Sequence, residues 1–467
     1  MERNAQRLVH CLKRKFSGEL IRRSDPMYEK ARVVWNAMVS RTPGLIARCV
    51  NVSDVQAAVR AAADEDVLTA VRCGGHSLAG FSSCDDGLVI DLSLMRDVVV
   101  DEEARRAYVG GGCLLSTIDT ATQKAGLAYP AGVVSHTGAA GLILGGGTGW
   151  LTRMFGMSCD NVQRFTLVTS NGSVERASAQ ENPELFWALR GGGGNFGIVT
   201  EFVLRLHSLK SVLLGTCHWF GDDILHVLRD WRDFMPGAPD QLKWNISLRV
   251  LASDDQPQSA DLVPALTSCA LWLGEESEGR RHFARIFSIG RPSAIEEGII
   301  PYLRLQTMAD AEFPVGRRYY TKSGYFKTLS DESLCQMIDA VSSGPSPTSQ
   351  IELAYLAGAA ARVSSGETAF GSRSAPYIMN ILADWHSPSG DARNVSWVRS
   401  LFAKLRPAMQ PGVYVNFMSG DEAERVKEAY SERWDRLVAV KTCYDPSNFF
   451  RLNQNIPPLH SDSGSGA

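Results

Sequence analysis

The sequence predicts an α+β protein of two lobes. Three observations carry that expectation. From about residue 44, short apolar runs suited to strands alternate with stretches of helical periodicity. Glycine then crowds into clusters, above all Gly138, Gly141, Gly145, Gly146, Gly147 and Gly149. Over about 208–410 the clusters thin out. Longer strand candidates broken by helices take their place, an antiparallel pattern rather than a second strand–helix–strand series.

In chain order, GLIARCV (44–50) is a short strand, and Ser53 is placed to cap the helix VQAAVRAAADE. LTAVRC (68–73) is a second strand that runs into Gly74-Gly75, and GLVIDLS (87–93) is a third. VVVDEEARRAYVGGG reads as two strands about a charged turn. LLSTIDTATQKAG is a helix closed by Gly126. In FTLVTSNGSVERAS, Asn171-Gly172 between alternating apolar residues signals a hairpin. Pro183 opens the helix of ENPELFWALR, and IVTEFVLRLH (198–207) returns as a strand. In the middle segment QIELAYLAGAAARV and SAPYIMNILADW are long strand candidates and ESEGRRHFARIFSIG is a helix. GVYVNFMSG, a charged helix and YDPSNFFRLNQNIPP make a compact polar C-terminal piece, followed by a tail, HSDSGSGA, expected to fray.

Composition narrows the function classes. Lys+Arg number 48 and Asp+Glu 51, a net charge of −3 over 467 residues, so no global basic surface points to nucleic acid. Hydrophobic residues at 44 % and charged residues at 21 % argue against long disorder. Ten cysteines are scattered from Cys11 to Cys443 with no C-x-x-C and no Cys/His grouping, which disfavours a metal site or a disulfide framework. Free buried thiols in a reducing compartment are expected. MERNAQRLVHCLKRKFSGEL lacks the apolar core of a secretory signal, and no apolar run reaches the ~18 residues of a membrane span. A soluble, cytoplasmic protein is the expectation.

The chain lacks G-x-x-x-x-G-K-[ST], H-E-x-x-H and G-x-S-x-G. Gly192-Gly193-Gly194-Asn195-Phe196-Gly197 matches G-x-G-x-x-G, but a helix precedes it and a strand follows, the reverse of a dinucleotide turn. The segment from Arg72 through Gly74, Gly75, His76 and Ser77 to Gly80 is more informative. Two glycines after a strand let successive N–H groups face one side, Arg72 adds charge and Ser77 a hydroxyl, so a phosphate or pyrophosphate suits the loop. Taken alone, a glycine turn with a surface histidine is the simpler reading. AGVVSHTGAAGLILGGGTGWLTRMFGMSCDN (131–161) joins its glycines to Leu142, Ile143, Leu144 and Trp150, as a backbone pressed on a flat, bulky ligand would. Close helix packing through small residues is the other reading.

These clusters, with FWALRGGGGNFGIVTEF and the C-terminal FRLNQNIPP, resemble the FAD-linked oxidases of the vanillyl-alcohol-oxidase/PCMH superfamily. Within it they are most similar to the berberine-bridge-enzyme-like branch, which includes bacterial hydroxynicotine oxidases. The resemblance implies a PCMH-type FAD-binding domain in two pieces, 1–207 and 411–467, and an antiparallel-sheet substrate domain over 208–410 covered by helices. It implies FAD held by a single covalent bond from the flavin 8α carbon to His76, with Arg72 to Ser77 at the pyrophosphate. Many relatives carry a second link through a cysteine where this chain has Val134. Ser135, Thr137, Gly138, Gly141 and Gly145 would back the flavin, Val199 would lie near the ring or the adenine portion, and Asn453 and Asn455 would reach back to the cofactor. His136 is expected to line the flavin or to play a structural part.

Tyr414 and Asn416, in Val413-Tyr414-Val415-Asn416-Phe417, resemble the family's Tyr-x-Asn-Tyr segment. Tyr414 is the expected base, assisted by Asn416, provided that a cation or hydrogen bond lowers its ordinary pKa of about 10. A packed strand residue is the alternative. Glu352, Tyr355, Tyr377, Met379 and Arg317-Arg318-Tyr319-Tyr320 are possible substrate-lining residues without assigned roles, since alternation along a strand turns half of such a set away. The function implied is oxidation of an alcohol or amine carbon of a small metabolite, with hydride passing to flavin N5 and O2 reduced to H2O2. A flavin dehydrogenase with another acceptor and a catalytically silent flavin-binding protein are the alternatives. Oxygen access would depend on the shape around Thr137 and Gly138.

Overall fold

The computed structural model describes residues 2–252 and 262–459. The tail expected to fray lies outside the described residues.

The first sheet joins β1 (Glu19–Arg22), β2 (Leu45–Arg48), β3 (Thr69–Arg72) and β4 (Leu88–Asp91) in the order β1-β2-β4-β3. β2 and β3 both run parallel to β4, as a strand–helix–strand crossover requires. The crossover helix Val52–Asp64 is capped by Asn51, whose side chain accepts the Asp54 N–H at 2.9 Å. Ser53 is therefore not the cap. Asn51 is the last extended residue (φ −152°), and Ser53 already lies in the first turn.

The second sheet contains β5 (Val98–Asp101), β6 (Arg106–Gly110), β8 (Val162–Val168), β9 (Val174–Ser178) and β10 (Ile198–Arg205), with β7 (Leu127–Ala128) pairing separately with β11 (His207–Ser208). β8 and β9 form the expected hairpin, and Gly172 at its turn has φ +77°. Helix Pro183–Leu189 begins on its proline.

The third sheet is antiparallel throughout: β12 (Ser211–Phe220), β13 (Leu242–Ala252), β14 (Leu262–Trp272), β15 (Ser293–Pro301), β16 (Arg318–Phe326), β17 (Gln350–Tyr355) and β18 (Tyr377–Trp385), ordered β15-β12-β14-β13-β17-β18-β16. QIELAYLAGAAARV does not continue as one strand. β17 stops at Tyr355, Gly358 takes φ +101°, and the alanines wind into a short helix, Ala359–Arg362. Alternation gives this sheet two faces. Leu248, Leu353, Met379 and Ile381 meet helices Asp223–Phe234, Asp331–Ser342 and Asp391–Leu405 in an apolar core. Their neighbours, among them Glu352, Asn380, Leu382 and Thr321, turn towards the first lobe, where they line a cavity.

The C-terminal piece returns to the glycine-rich lobe, where Val413, Val426, Leu437 and Ile456 share a core with Phe165, Leu185 and Phe202. GVYVNFMSG holds no strand, only a 3₁₀ turn over Val415–Phe417. The cysteines are free, but Cys11, Cys335 and Cys443 are exposed rather than buried. Among the described residues no helix is long and apolar enough to cross a membrane, and no His, Cys, Asp and Glu group is arranged to hold a metal ion.

Candidate active site

A cavity of about 380 Å³ lies between the third sheet and the glycine-rich lobe. Its first wall is mostly backbone. β3 delivers the chain into Gly74, which lies against Gly138, and a Cβ on either glycine would strike the other's backbone. The two glycine clusters, far apart in sequence, are thus in direct contact. Gly75 takes φ +70°, and among the described residues the N–H groups of Gly75, His76 and Ser77 donate to no backbone carbonyl, leaving a row of free donors. Gly141 differs from the others. It lines the cavity, and no atom lies within 4 Å of where its Cβ would stand, so its missing side chain leaves room for a ligand and not for the protein.

His76 stands at the end of this loop. Its Nε2 is 2.7 Å from His136 Nδ1, and its ring stacks on Trp35 (centroids 4.7 Å apart), which stacks in turn on Tyr319 at 3.8 Å. Burial, then the neighbouring His136, lowers the His76 pKa to about 3, so the imidazole is neutral near pH 7. Val134, Thr137, Gly145 and Val199 also line the cavity, and Asn453 closes its far end while donating to Gly194 O (3.1 Å).

Four expected residues are placed elsewhere. Alternation along β3 turns Val71 and Cys73 to the cavity and Arg72 away, into a buried ion pair with Asp91 at 2.7 Å. Ser135 is held by Asp310, which accepts from its N–H (2.8 Å) and its hydroxyl (2.6 Å). Gly80 (φ +76°) packs on Val39. Asn455 does not reach the lining.

Tyr414 and Asn416 do line the cavity. The Tyr414 hydroxyl accepts hydrogen bonds from Gly147 N–H (3.1 Å) and Asn416 Nδ2 (2.9 Å), and Gly145 leaves the space the Asn416 amide fills. The condition set for Tyr414 as a base is not met. The residue is 2 % exposed, and burial drives its pKa well above the tyrosine norm despite the hydrogen bonds that lower it. That direction disfavours the ionised form a base requires.

Glu352 sits on the opposite wall. Among the described residues it is the one carboxylate lining the cavity. Its Oε2 accepts from Asn380 Nδ2 at 3.0 Å and its Oε1 from Gln350 Nε2 at 3.4 Å. Burial raises its pKa above the carboxylate norm, opposed by the Asn380 hydrogen bond and the Arg249 charge. Of the other candidates, Tyr355, Tyr377 and Met379 point into the helix-covered core, and Arg317 pairs with Asp384 at 2.7 Å. The signal for Glu352 was in QIELAY: Ile351, Leu353 and Tyr355 share one face, which leaves Glu352 on the other.

A family model described as FAD binding domain matches residues 43–178, and one described as berberine and berberine like matches 413–457. An FAD-linked oxidoreductase of Dictyostelium discoideum is 32 % identical over 98 % of this chain and 98 % of its own. The chain belongs to the berberine-bridge-like FAD-linked oxidoreductases. The (R)-6-hydroxynicotine oxidase of Paenarthrobacter nicotinovorans is 30 % identical, covering 94 % of this chain and 97 % of its own. A crystal structure of 6-hydroxy-D-nicotine oxidase from Arthrobacter nicotinovorans superposes with a TM-score of 0.86 at 30 % identity, over 95 % of this chain and 98 % of that one.

The site fits FAD on its own geometry. The free N–H row over Gly75–Ser77 suits a pyrophosphate, and the open space at Gly141 suits a flat ring.

Proposed function

We propose that this enzyme is an oxidase that removes a hydride from an alcohol or amine carbon of a small metabolite, with O2 reduced to H2O2. One observation carries the reading: a half-buried carboxylate with a raised pKa lines the same cavity as the glycine-rich wall. FAD, when bound, supplies the two-electron acceptor at that wall. Glu352 takes the proton from the substrate hydroxyl or amine, and its raised pKa strengthens it as a base at neutral pH. Asn380 and Gln350 hold the carboxylate in place from both oxygens. Apolar and aromatic side chains, Trp35, Phe313 and Leu382, exclude water around the reacting carbon. Relatives named hydroxynicotine oxidases support the oxidase reading and a small-molecule substrate.

His76 carries the flavin through a single covalent bond in this reading. Neutral at physiological pH and lining the cavity, it is the nucleophile the bond requires. Acid-denatured protein is expected to keep its yellow colour in the pellet with a mass increase of one FAD, and His76→Ala to release the colour to the supernatant. Colour retained in the pellet of that variant moves the anchor to His136. A folded preparation without flavin removes the oxidase reading.

A further inference from the structure

Behind the Glu352 carboxylate lies a charged pair that the proposed chemistry leaves unused. Gln350, two residues before Glu352 on β17, is 3 % exposed. Its Oε1 accepts from Ser247 Oγ at 2.9 Å and from Arg249 Nη2, both on β13. Two donors at one end decide which end of the amide is which, so Nε2 is turned to Glu352 Oε1. A flipped amide would set its N–H groups against the guanidinium and its oxygen against the carboxylate. Arg249 in turn pairs with Glu312 at 2.8 Å. Glu312 lies in residues 308–317, between helix Tyr302–Thr307 and β16, and its neighbour Phe313 lines the cavity. The same stretch is tied to the glycine-rich lobe, where Asp310 holds Ser135 and Phe313 O accepts from Trp35 Nε1 at 2.9 Å.

We infer that Arg249 and Glu312 are positioning residues for the base: Arg249 aims the Gln350 amide at Glu352, and Glu312 fastens Arg249 to the stretch that walls the cavity. This rests on the reading of Glu352 as the base and adds what sets it. Among the described residues Arg249 and Glu312 are the charged groups acting on Glu352, while β18 and β17 supply the neutral amides of Asn380 and Gln350. After burial and the Asn380 hydrogen bond, these two act in opposite directions: Arg249 favours the ionised carboxylate and Glu312 disfavours it. Arg249 alone would steady Glu352 but weaken it as a base. With Glu312 beside it the amide stays aimed while part of the charge is offset. Phe313 excludes water from the same stretch, so the offset comes with the wall that keeps the site dry.

The test is an infrared pH titration of the flavin-loaded protein that follows the C=O band of protonated carboxyl groups, the component lost in Glu352→Gln being that of Glu352. Arg249→Met is expected to raise its midpoint by about half a pH unit or more. Glu312→Gln is expected to lower it by about 0.2–0.5 pH unit, a small effect because the side chain is 47 % exposed and solvent screens its charge. Being a surface change, it decides the sign should Arg249→Met fail to fold. Arg249→Lys keeps a charge but not the fork that serves both Gln350 and Glu312, and should fall between the unaltered protein and Arg249→Met. In a Gln350→Leu background Arg249→Met should move the midpoint less, since part of its effect passes through the amide. Shifts of one sign in Arg249→Met and Glu312→Gln, as a loosened wall would give, overturn the inference. So do unmoved midpoints, or full additivity with Gln350→Leu. Failure of the base reading shows separately, as turnover retained by Glu352→Gln in a peroxide-coupled assay.

Discussion

The two walls of the cavity are built by opposite means. The glycine-rich wall presents backbone: Gly74 against Gly138, free N–H groups over Gly75–Ser77, and open space at Gly141. The sheet wall presents side chains, Glu352 and Asn380, spaced by strand register and backed by a helix-covered core. A wall of backbone can grip only what every cofactor of one kind shares, its phosphates and flat ring. A wall of side chains can be changed one residue at a time without disturbing the sheet. In the proposed reading, cofactor binding and substrate choice are thereby separated across the cavity.

The sharpest test of that division is Glu352→Gln. It is expected to lower kcat by about 10²- to 10⁴-fold, the usual worth of a general base, on any substrate found by a peroxide-coupled screen. Flavin content should stay unchanged. The acid limb of kcat/KM should reflect a group above the ordinary carboxylate range, with activity rising as pH climbs through it, because burial disfavours the ionised form that acts as the base. An unchanged acid limb in the variant would remove Glu352 from the chemistry.

A second comparison lies within the glycine wall. Gly138→Ala forces a Cβ into the Gly74 backbone and is expected to cost about 1–3 kcal/mol in a denaturant titration. Gly141→Ala meets no atom within 4 Å and should leave the fold untouched while reducing flavin occupancy, read from visible absorbance per protein. If both lose stability and neither loses flavin, Gly141 packs against protein and not against a ligand.

The smallest effect is expected at Tyr414→Phe. A neutral hydroxyl that only accepts from Gly147 and Asn416 should cost well under the ~10²-fold of a lost base and leave the pH profile in place. A shifted pH profile would return Tyr414 to the proton-transfer step.

Much of the glycine wall was legible because its chemistry is local. Gly74-Gly75-His76 and the run from Gly138 to Gly149 act through neighbouring backbone atoms, so their spacing along the chain already describes what they do. Arg72 misled because residue type alone suggested an anion partner, whereas the side β3 turns it to, and Asp91 waiting there, are tertiary facts. Tyr414 misled for a related reason. A motif can supply the phenol but not its solvation, and burial outweighs the hydrogen bonds that would have made it a base.

What the sequence by itself determined was the lobe built from alternating strands and helices, the glycines that must meet without side chains, and the histidine at their edge. Only the tertiary structure decided which carboxylate faces them. Glu352 enters the cavity because β17 lies between β13 and β18 in one register and because Ile351 and Leu353 are drawn into the core beneath the helices. Burial, and with it a carboxylate's pKa, belongs to the packed lobes and to no short stretch of chain.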